Sequence, residues 1–262
     1  MRRFLTLLGL AALLPAPLLA QRMRADSAFL AQMRWRSIGP ANMSGRVSGV
    51  TANPLNPKVI YVGFATGGLW KSVNAGTTWE PVFDRTGVHA VSEVAIAPSD
   101  TNVVWVGTGE EDSRNSISPG NGVYKSTDGG RTWANMGLRE TQHIGRVVIH
   151  PTNPNVVWVA ALGHAWAPNR DRGLYKTTDG GTTWRLVKAI SDRAGFVDLA
   201  LDPSNPDVLY ATSWQRYRTA YSLQSGGPGS GFFKSTDGGE TWKEITRNPG
   251  LPAGMIGKIG IA

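Results

Sequence analysis

A twelve-residue pattern occurs four times in this chain, as "GLWKSVNAGTTW" ending at Trp79, "GVYKSTDGGRTW" at Trp133, "GLYKTTDGGTTW" at Trp184 and "GFFKSTDGGETW" at Trp242. A step of about fifty residues is the period of propellers and repeat arrays. Other segments keep a fixed order around each copy. Alternating segments ("SEVAIAP", "GRVVIHP", "VDLALDP") lead, a Pro/Asn/Asp turn follows, and then a β-branched and aromatic run ("KVIYVG", "NVVWVG", "NVVWVA", "DVLYAT"). After the motif comes a short segment such as "WEPVF" or "WRLVKAI". This order predicts four antiparallel strands per unit, named a to d from the axis outward. One such sheet cannot bury both faces, so the units must stack around an axis.

The expected fold is therefore all-β, a β-propeller of four complete four-stranded blades plus the first strand of a fifth, since the last residues "GKIGIA" match the start of "GRVVIHP". The segment "WRSI" from Trp35 matches "WKEI" from Trp242, which predicts that residues 35–40 form the closing outer strand of the last blade. Both matches predict an incomplete ring, the N-terminal part of a longer protein whose further blades are its partners. Residues 1–20 read as a signal peptide, with Arg2 and Arg3 before an apolar run ending in Ala20. Residues 21–34 read as a linker and 35–262 as the propeller. The apolar run is broken by Pro15 and Pro17 and is short for a membrane span.

The motif itself is turn chemistry. Asp128, Asp179 and Asp237 can accept hydrogen bonds from amides two residues on, the glycines supply positive φ, and Trp133, Trp184 and Trp242 cover the turn. Here the sequence resembles the Asp-box, or BNR, repeat family, whose Ser/Thr-x-Asp-x-Gly-x-Thr-Trp pattern is met by "STDGGRTW", "TTDGGTTW" and "STDGGETW". The first copy, ending at Trp79, places Asn74 where the aspartate belongs. Asparagine keeps the acceptor and loses the charge, which a structural turn tolerates and a metal-binding or catalytic carboxylate would not. Lys234 and Ser235 in "GGPGSGFFKS" are the fourth copy of a strand c pair, and the spacing of a phosphate loop fails. No cofactor is implied.

The chain has no cysteine, which excludes disulfides, thiolate metal sites and cysteine nucleophiles. Its net charge of +8 is scattered, without the basic run that marks nucleic-acid binding. No His-x-x-x-His spacing supports a metal site among His89, His143 and His164.

Candidate recognition residues follow from loop length. Connections from strand b to strand c are long, and long loops on a rigid scaffold carry binding residues. Trp166 and Trp214 lie in two consecutive long connections, outside the repeat positions of the other tryptophans, with Arg170, Arg216, Tyr217 and Tyr221 nearby. That mixture suits stacking on sugar rings or holding a peptide, and equally the anchoring of the long loops onto themselves. Glu110, Glu111 and Asp112 form an acidic cluster, read either as a calcium or glycosidase site or, with greater weight, as a solvated loop partnered by Arg114. Alignment of the repeats places Glu93, Arg146, Asp198 and Lys258 at one register of strand a, with alternating sign, which predicts ion pairs between blades near the central channel.

Four units resemble two branches of the Asp-box propellers, the sortilin N-terminal domain and the xyloglucanase-type glycoside hydrolases. The opening "MRWRSIGPANMSGRVSGV" is similar to the start of exported bacterial proteins labelled glycosyl hydrolases or sortilin-like. In xyloglucanases an aspartate stands two residues before the paired glycines of the first blade, and a second comes from a second propeller. Ala65 stands at the first place here, whereas an inverting hydrolase needs two carboxylates. The sialidase Phe/Tyr-Arg-Ile-Pro segment is poorly matched by "WRSIGP". Without catalytic residues of its own, the chain is expected to be an exported module, secreted or at the cell-envelope exterior, that binds extracellular polysaccharide or peptide. The alternative is a glycoside hydrolase whose carboxylates lie mostly outside this chain.

Overall fold

A computed structural model describes residues 45–262. The expected signal peptide, linker and closing strand at 35–40 lie outside the described residues. Blade 1 contains β1 (Val47–Asn53), β2 (Asn56–Phe64), β3 (Gly68–Ser72) and β4 (Glu80–Pro81), and blade 2 contains β5 (Val91–Ile96), β6 (Val104–Thr108), β7 (Val123–Ser126) and β8 (Ala134–Asn135). Blade 3 follows as β9 (Ile144–Ile149), β10 (Val157–Ala161), β11 (Gly173–Thr177) and β12 (Arg185–Lys188). In blade 4, β13 (Ala194–Asp202) and β14 (Asn205–Arg218) are followed by the short β15 (Leu223–Ser225), then β16 (Gly231–Ser235) and β17 (Lys243–Glu244). Each sheet is an antiparallel meander in chain order, with β15 attached to the far end of β14. The inner strands β1, β5, β9 and β13 pack against one another in sequence and define the axis.

The apolar cores lie between blades, as stacking requires. Tyr61, Leu69 and Phe83 of blade 1 meet Val91, Val94, Ile96 and Tyr124 of blade 2. Trp105 and Val123 pack on Val147, Ile149 and Val159, and Trp158 and Leu174 pack on Phe196, Leu199 and Phe233. Gly107 shows how close this stacking is, because a Cβ there would sit 2.6 Å from the Ile144 side chain of the next blade.

Each motif turn is held by its aspartate. Asp128 accepts from Ser126 Oγ at 2.7 Å, from the Arg131 and Thr132 amides at 2.9 Å each, and from Thr132 Oγ1 at 2.6 Å. Asp179 and Asp237 repeat the pattern. In the first copy Asn74 Oδ1 accepts from Ser72 Oγ and the Thr78 amide, and Asn74 Nδ2 donates to Thr78 Oγ1 at 2.9 Å. The last hydroxyl contact has reversed its direction, so the turn survives without the charge. Ala75 of this copy takes φ 58°, where the other copies have glycine, a left-handed conformation that costs a residue with a Cβ about 1 kcal/mol.

The turns also join neighbouring blades. Lys71 Nζ and Tyr61 Oη of blade 1 donate to the Gly129 carbonyl of blade 2 at 2.7 and 2.8 Å. Lys125 reaches Gly180 of blade 3 at 3.1 Å, and Lys176 reaches Gly238 of blade 4 at 2.8 Å. Each ammonium lies over an aromatic ring of its own strand b, Tyr61, Trp105 or Trp158. In return, the Trp133 and Trp184 indoles donate backward to the Val82 and Met136 carbonyls at 2.8 and 2.7 Å. Trp242 donates within its own turn, and Trp79, like the other three, is half-buried.

The expected first strand of a fifth blade, residues 257–262, runs beside blade 4. Thr212 Oγ1 donates to the Ile259 carbonyl at 2.9 Å, and the Ile261 amide donates to Asp198 at 2.8 Å. It forms no ladder among the described residues.

Candidate functional site

Two groups of the predicted residues occupy the end of the molecule from which the b-to-c connections project. The first surrounds the axis. Arg146 on β9 donates through Nε to Asp198 on β13 at 2.8 Å and lies 3.4 Å from Glu93 on β5, so one guanidinium joins three consecutive blades. Burial would lower the Arg146 pKa, but the bond to Asp198 and the Glu93 charge raise it above its ordinary value. Glu93 is pushed up to about 7, mainly by burial, with the Arg146 charge opposing.

Lys258 departs from the expected pairing. It approaches Glu111 at 3.4 Å and Asp112 at 2.6 Å, while Asp198 accepts from the Leu199 and Ile261 amides in addition to Arg146. Residues 257–262 have no ladder to fix the register that the alignment assumed, and the lysine reaches the loop carboxylates. Burial alone would lower the Lys258 pKa, and the Glu111 charge raises it. Glu111 is itself pushed up to about 7 by burial despite Lys258.

The solvated reading of the acidic cluster is corrected at Glu110. Its side chain is 2% exposed and is paired with Arg46 of blade 1 rather than with Arg114. Gly109, at φ 86°, turns the chain inward at this point, where a Cβ would fall 1.9 Å from the Gln142 carbonyl. Arg46 was missed because it precedes the first recognisable repeat segment.

The second group occupies the b-to-c connections of blades 3 and 4. Trp166 is 43% exposed and Tyr221 is 92% exposed, with Arg170 also at the surface. Tyr217 is half-buried under the Arg193 guanidinium. Trp214 and Arg216 are not at this surface but buried, so that for Trp214 the alternative of anchoring its own connection holds. The connection is not a loop at this point, because β14 continues to Arg218 and its alternation turns Trp214, Arg216 and Arg218 inward. Trp214 packs with Leu162 and Val197, and Arg216 lies over the Trp214 ring. The Arg218 amide donates to the Ala165 carbonyl at 3.0 Å, which fastens the extended hairpin of blade 4 to the connection of blade 3. Trp166 and Tyr221 thus stand on two elements tied to each other.

A family model described as sortilin, neurotensin receptor 3 (Sortilin-Vps10) matches residues 67–190 and, in a second overlapping match, 121–250. The chain belongs to the Sortilin-Vps10 family. This Sortilin-Vps10 chain is also similar to a xyloglucanase of Hypocrea jecorina, 26% identical over 254 residues, or 84% of this chain and 28% of that one. The xyloglucanase Xgh74A of Acetivibrio thermocellus is 28% identical over 239 residues, covering 78% of this chain and 26% of the relative. Among solved structures, the GH74 xyloglucanase from Xanthomonas campestris superposes with a TM-score of 0.57 at 20% identity, covering 76% of this chain and 30% of that chain. The chain therefore spans little more than a quarter of the length of the curated relatives named, and its fold is a glycoside-hydrolase-like propeller. Ala65, where the resemblance to xyloglucanases implies an aspartate, is buried and its amide donates to the Arg46 carbonyl at 2.9 Å. No helix among the described residues is long and apolar enough to cross a membrane.

Proposed function

We propose that this chain is the polysaccharide-binding part of an exported Sortilin-Vps10 propeller, with its recognition surface on the b-to-c connections of blades 3 and 4. The observation that carries the reading is the Arg218–Ala165 backbone bond, which holds the elements bearing exposed Trp166 and Tyr221 together. Flat aromatic rings on elements fixed before binding stack on sugar faces with little ordering cost. Arg170 at the same surface supplies hydrogen-bond donors to hydroxyls. The similarity to xyloglucanases favours a β-glucan backbone over a peptide.

The test is affinity electrophoresis of the full chain in gels containing xyloglucan or other β-glucans, with a peptide array run in parallel. Retardation by glucan that is lost in Trp166→Ala/Tyr221→Ala supports the reading. Equal retardation of the double variant, or binding confined to peptides, overturns it.

A second reading, glycoside hydrolysis, rests on Glu93 and Glu111. Both carboxyls are near the axis and are pushed to about 7, which keeps a fraction protonated at neutral pH as a general acid requires. Product analysis on the same glucans distinguishes the readings. Cleavage abolished in Glu93→Gln or Glu111→Gln favours the enzyme, and binding without cleavage removes it.

A further inference from the structure

Behind the aromatic surface lies a cluster whose polar atoms are almost all donors. Arg172, 1% exposed, gives Nη1 to the Leu162 carbonyl at 2.7 Å and Nη2 to the carbonyls of His164 and Ala167 at 2.5 and 3.0 Å. Arg216, fully buried, gives Nη1 to the Glu111 carbonyl at 2.9 Å and directs Nη2 at the Gly163 carbonyl, 3.5 Å away. The two guanidiniums therefore grip adjacent peptides of one short segment, 162–164. The His143 carbonyl accepts the Leu162 amide at 2.9 Å, which brings the buried His143 ring to the same segment. Trp214 completes the group by packing on Leu162 beneath Arg216.

Five buried nitrogens here have no partner: Arg172 Nε, Arg216 Nε, Trp214 Nε1 and both ring nitrogens of His143. The first three can only donate, and a neutral imidazole adds one donor and one acceptor. None of the ion pairs among the described residues includes Arg172 or Arg216. Two buried cations without a carboxylate in contact carry a large desolvation cost. Burial lowers Arg216 to about 9 against the more distant charges of Glu111 and Asp112, and Arg172 to about 10 against that of Asp192; its own burial, and then the two guanidinium charges, hold the His143 imidazole well below its ordinary value. Water would accept these donors but carries no charge to offset the two guanidiniums. A guest that only accepts, and is negative, meets both deficits.

We infer that the His143, Arg172, Trp214 and Arg216 side chains form an internal site for one small monovalent anion of the halide class, which braces the segment 162–164 beneath the blade 3 and blade 4 connections. The anion is taken up by local opening of those connections, since every lining side chain is buried. Gly163 is built into the arrangement. It has φ 74°, and a Cβ there would lie 2.2 Å from Arg172 Cγ, so the guanidinium can reach its carbonyls only past a glycine.

The test uses the full chain at constant ionic strength, exchanging bromide for gluconate, which is too large for an internal site. The expected result is a midpoint of thermal unfolding that rises with bromide and saturates, and one anomalous bromide peak between the four side chains in crystals. Trp214→Phe keeps the ring and removes one donor, and should raise the half-saturating bromide concentration about tenfold. Arg216→Gln should abolish the bromide dependence. A midpoint that follows ionic strength alone, or crystals that hold water at this place in high bromide, overturns the inference. If a variant does not fold, the wild-type titration and the anomalous map decide.

Discussion

The charge of the motif aspartate is dispensable while its acceptor oxygens are not, and Asp128 is the place to measure this. Asp128 accepts four hydrogen bonds between 2.6 and 2.9 Å. At a solvent-accessible turn each contributes about 0.5 kcal/mol, the low end of the net range, so Asp128→Ala should cost about 2 kcal/mol. Asp128→Asn keeps the three bonds to Oδ1 and can reverse the fourth, as Asn74 does toward Thr78, and should cost below about 0.7 kcal/mol. For a domain of this size about 2–4 °C accompanies each kcal/mol. The alanine variant should then melt about 4–8 °C lower and the asparagine variant within about 3 °C of wild type. Urea midpoints at pH 7 with unchanged slopes check the free energies. Lowering the pH adds a second readout, because neither variant titrates at this position. Hydrogen bonds, those from Thr132 foremost, hold the Asp128 carboxyl below the ordinary carboxylate range. Its contribution is complete above the unfolded-state value near 4 and fades as pH falls below it, and Asp128→Asn loses that acid sensitivity. Equal cost for the two substitutions at neutral pH would refute the reasoning, because it would place the energy in the charge.

Glu93 and Glu111 have the opposite sign. Burial raises both to about 7, so the stability associated with their protonated forms is complete below the unfolded value near 4.3 and is lost as pH rises toward 7. Glu93→Gln and Glu111→Gln should each flatten the fall in melting temperature across that window and melt above wild type at pH 8, and a lower melting point there would contradict the assignment. Arg146→Glu sets a third carboxylate against Glu93 and Asp198 and should destabilise by more than about 3 kcal/mol, well beyond Arg146→Met; similar urea midpoints for the two would show that Arg146 acts by packing alone. Ala75→Gly relieves a left-handed alanine at φ 58° and should raise the urea midpoint by the equivalent of about 1 kcal/mol, where any loss of stability would contradict the strain.

The strand order and the turn role of the aspartates were legible because the chain states them four times. Repetition converts a weak local signal into a register, and the same register brought Glu93, Arg146 and Asp198 together before any contact was known. What was not legible lies where the repeats diverge. Strand β14 runs to Arg218 with side chains no other blade has, so Trp214 and Arg216 read as loop residues when the pleat turns them inward. Glu110 reads as solvated because its partner, Arg46, is sixty-four positions away and belongs to no repeated segment. The role of Lys71, Lys125 and Lys176 was visible as a pattern but not as a contact. A lysine in every strand c suggests solvent exposure until the next blade's turn carbonyl is seen within reach.

Those lysines give the ring a direction. Each turn from blade 2 onward is met by an ammonium from the blade synthesised before it, and Trp133 and Trp184 return a bond to that same earlier blade. A blade emerging from the ribosome therefore finds its anchors already synthesised behind it, and a nascent turn need not wait for a distant partner. Contacts laid out in this way suit assembly in chain order, and a defect in one blade's lysine or turn carbonyl should weaken the docking of the blade that follows it.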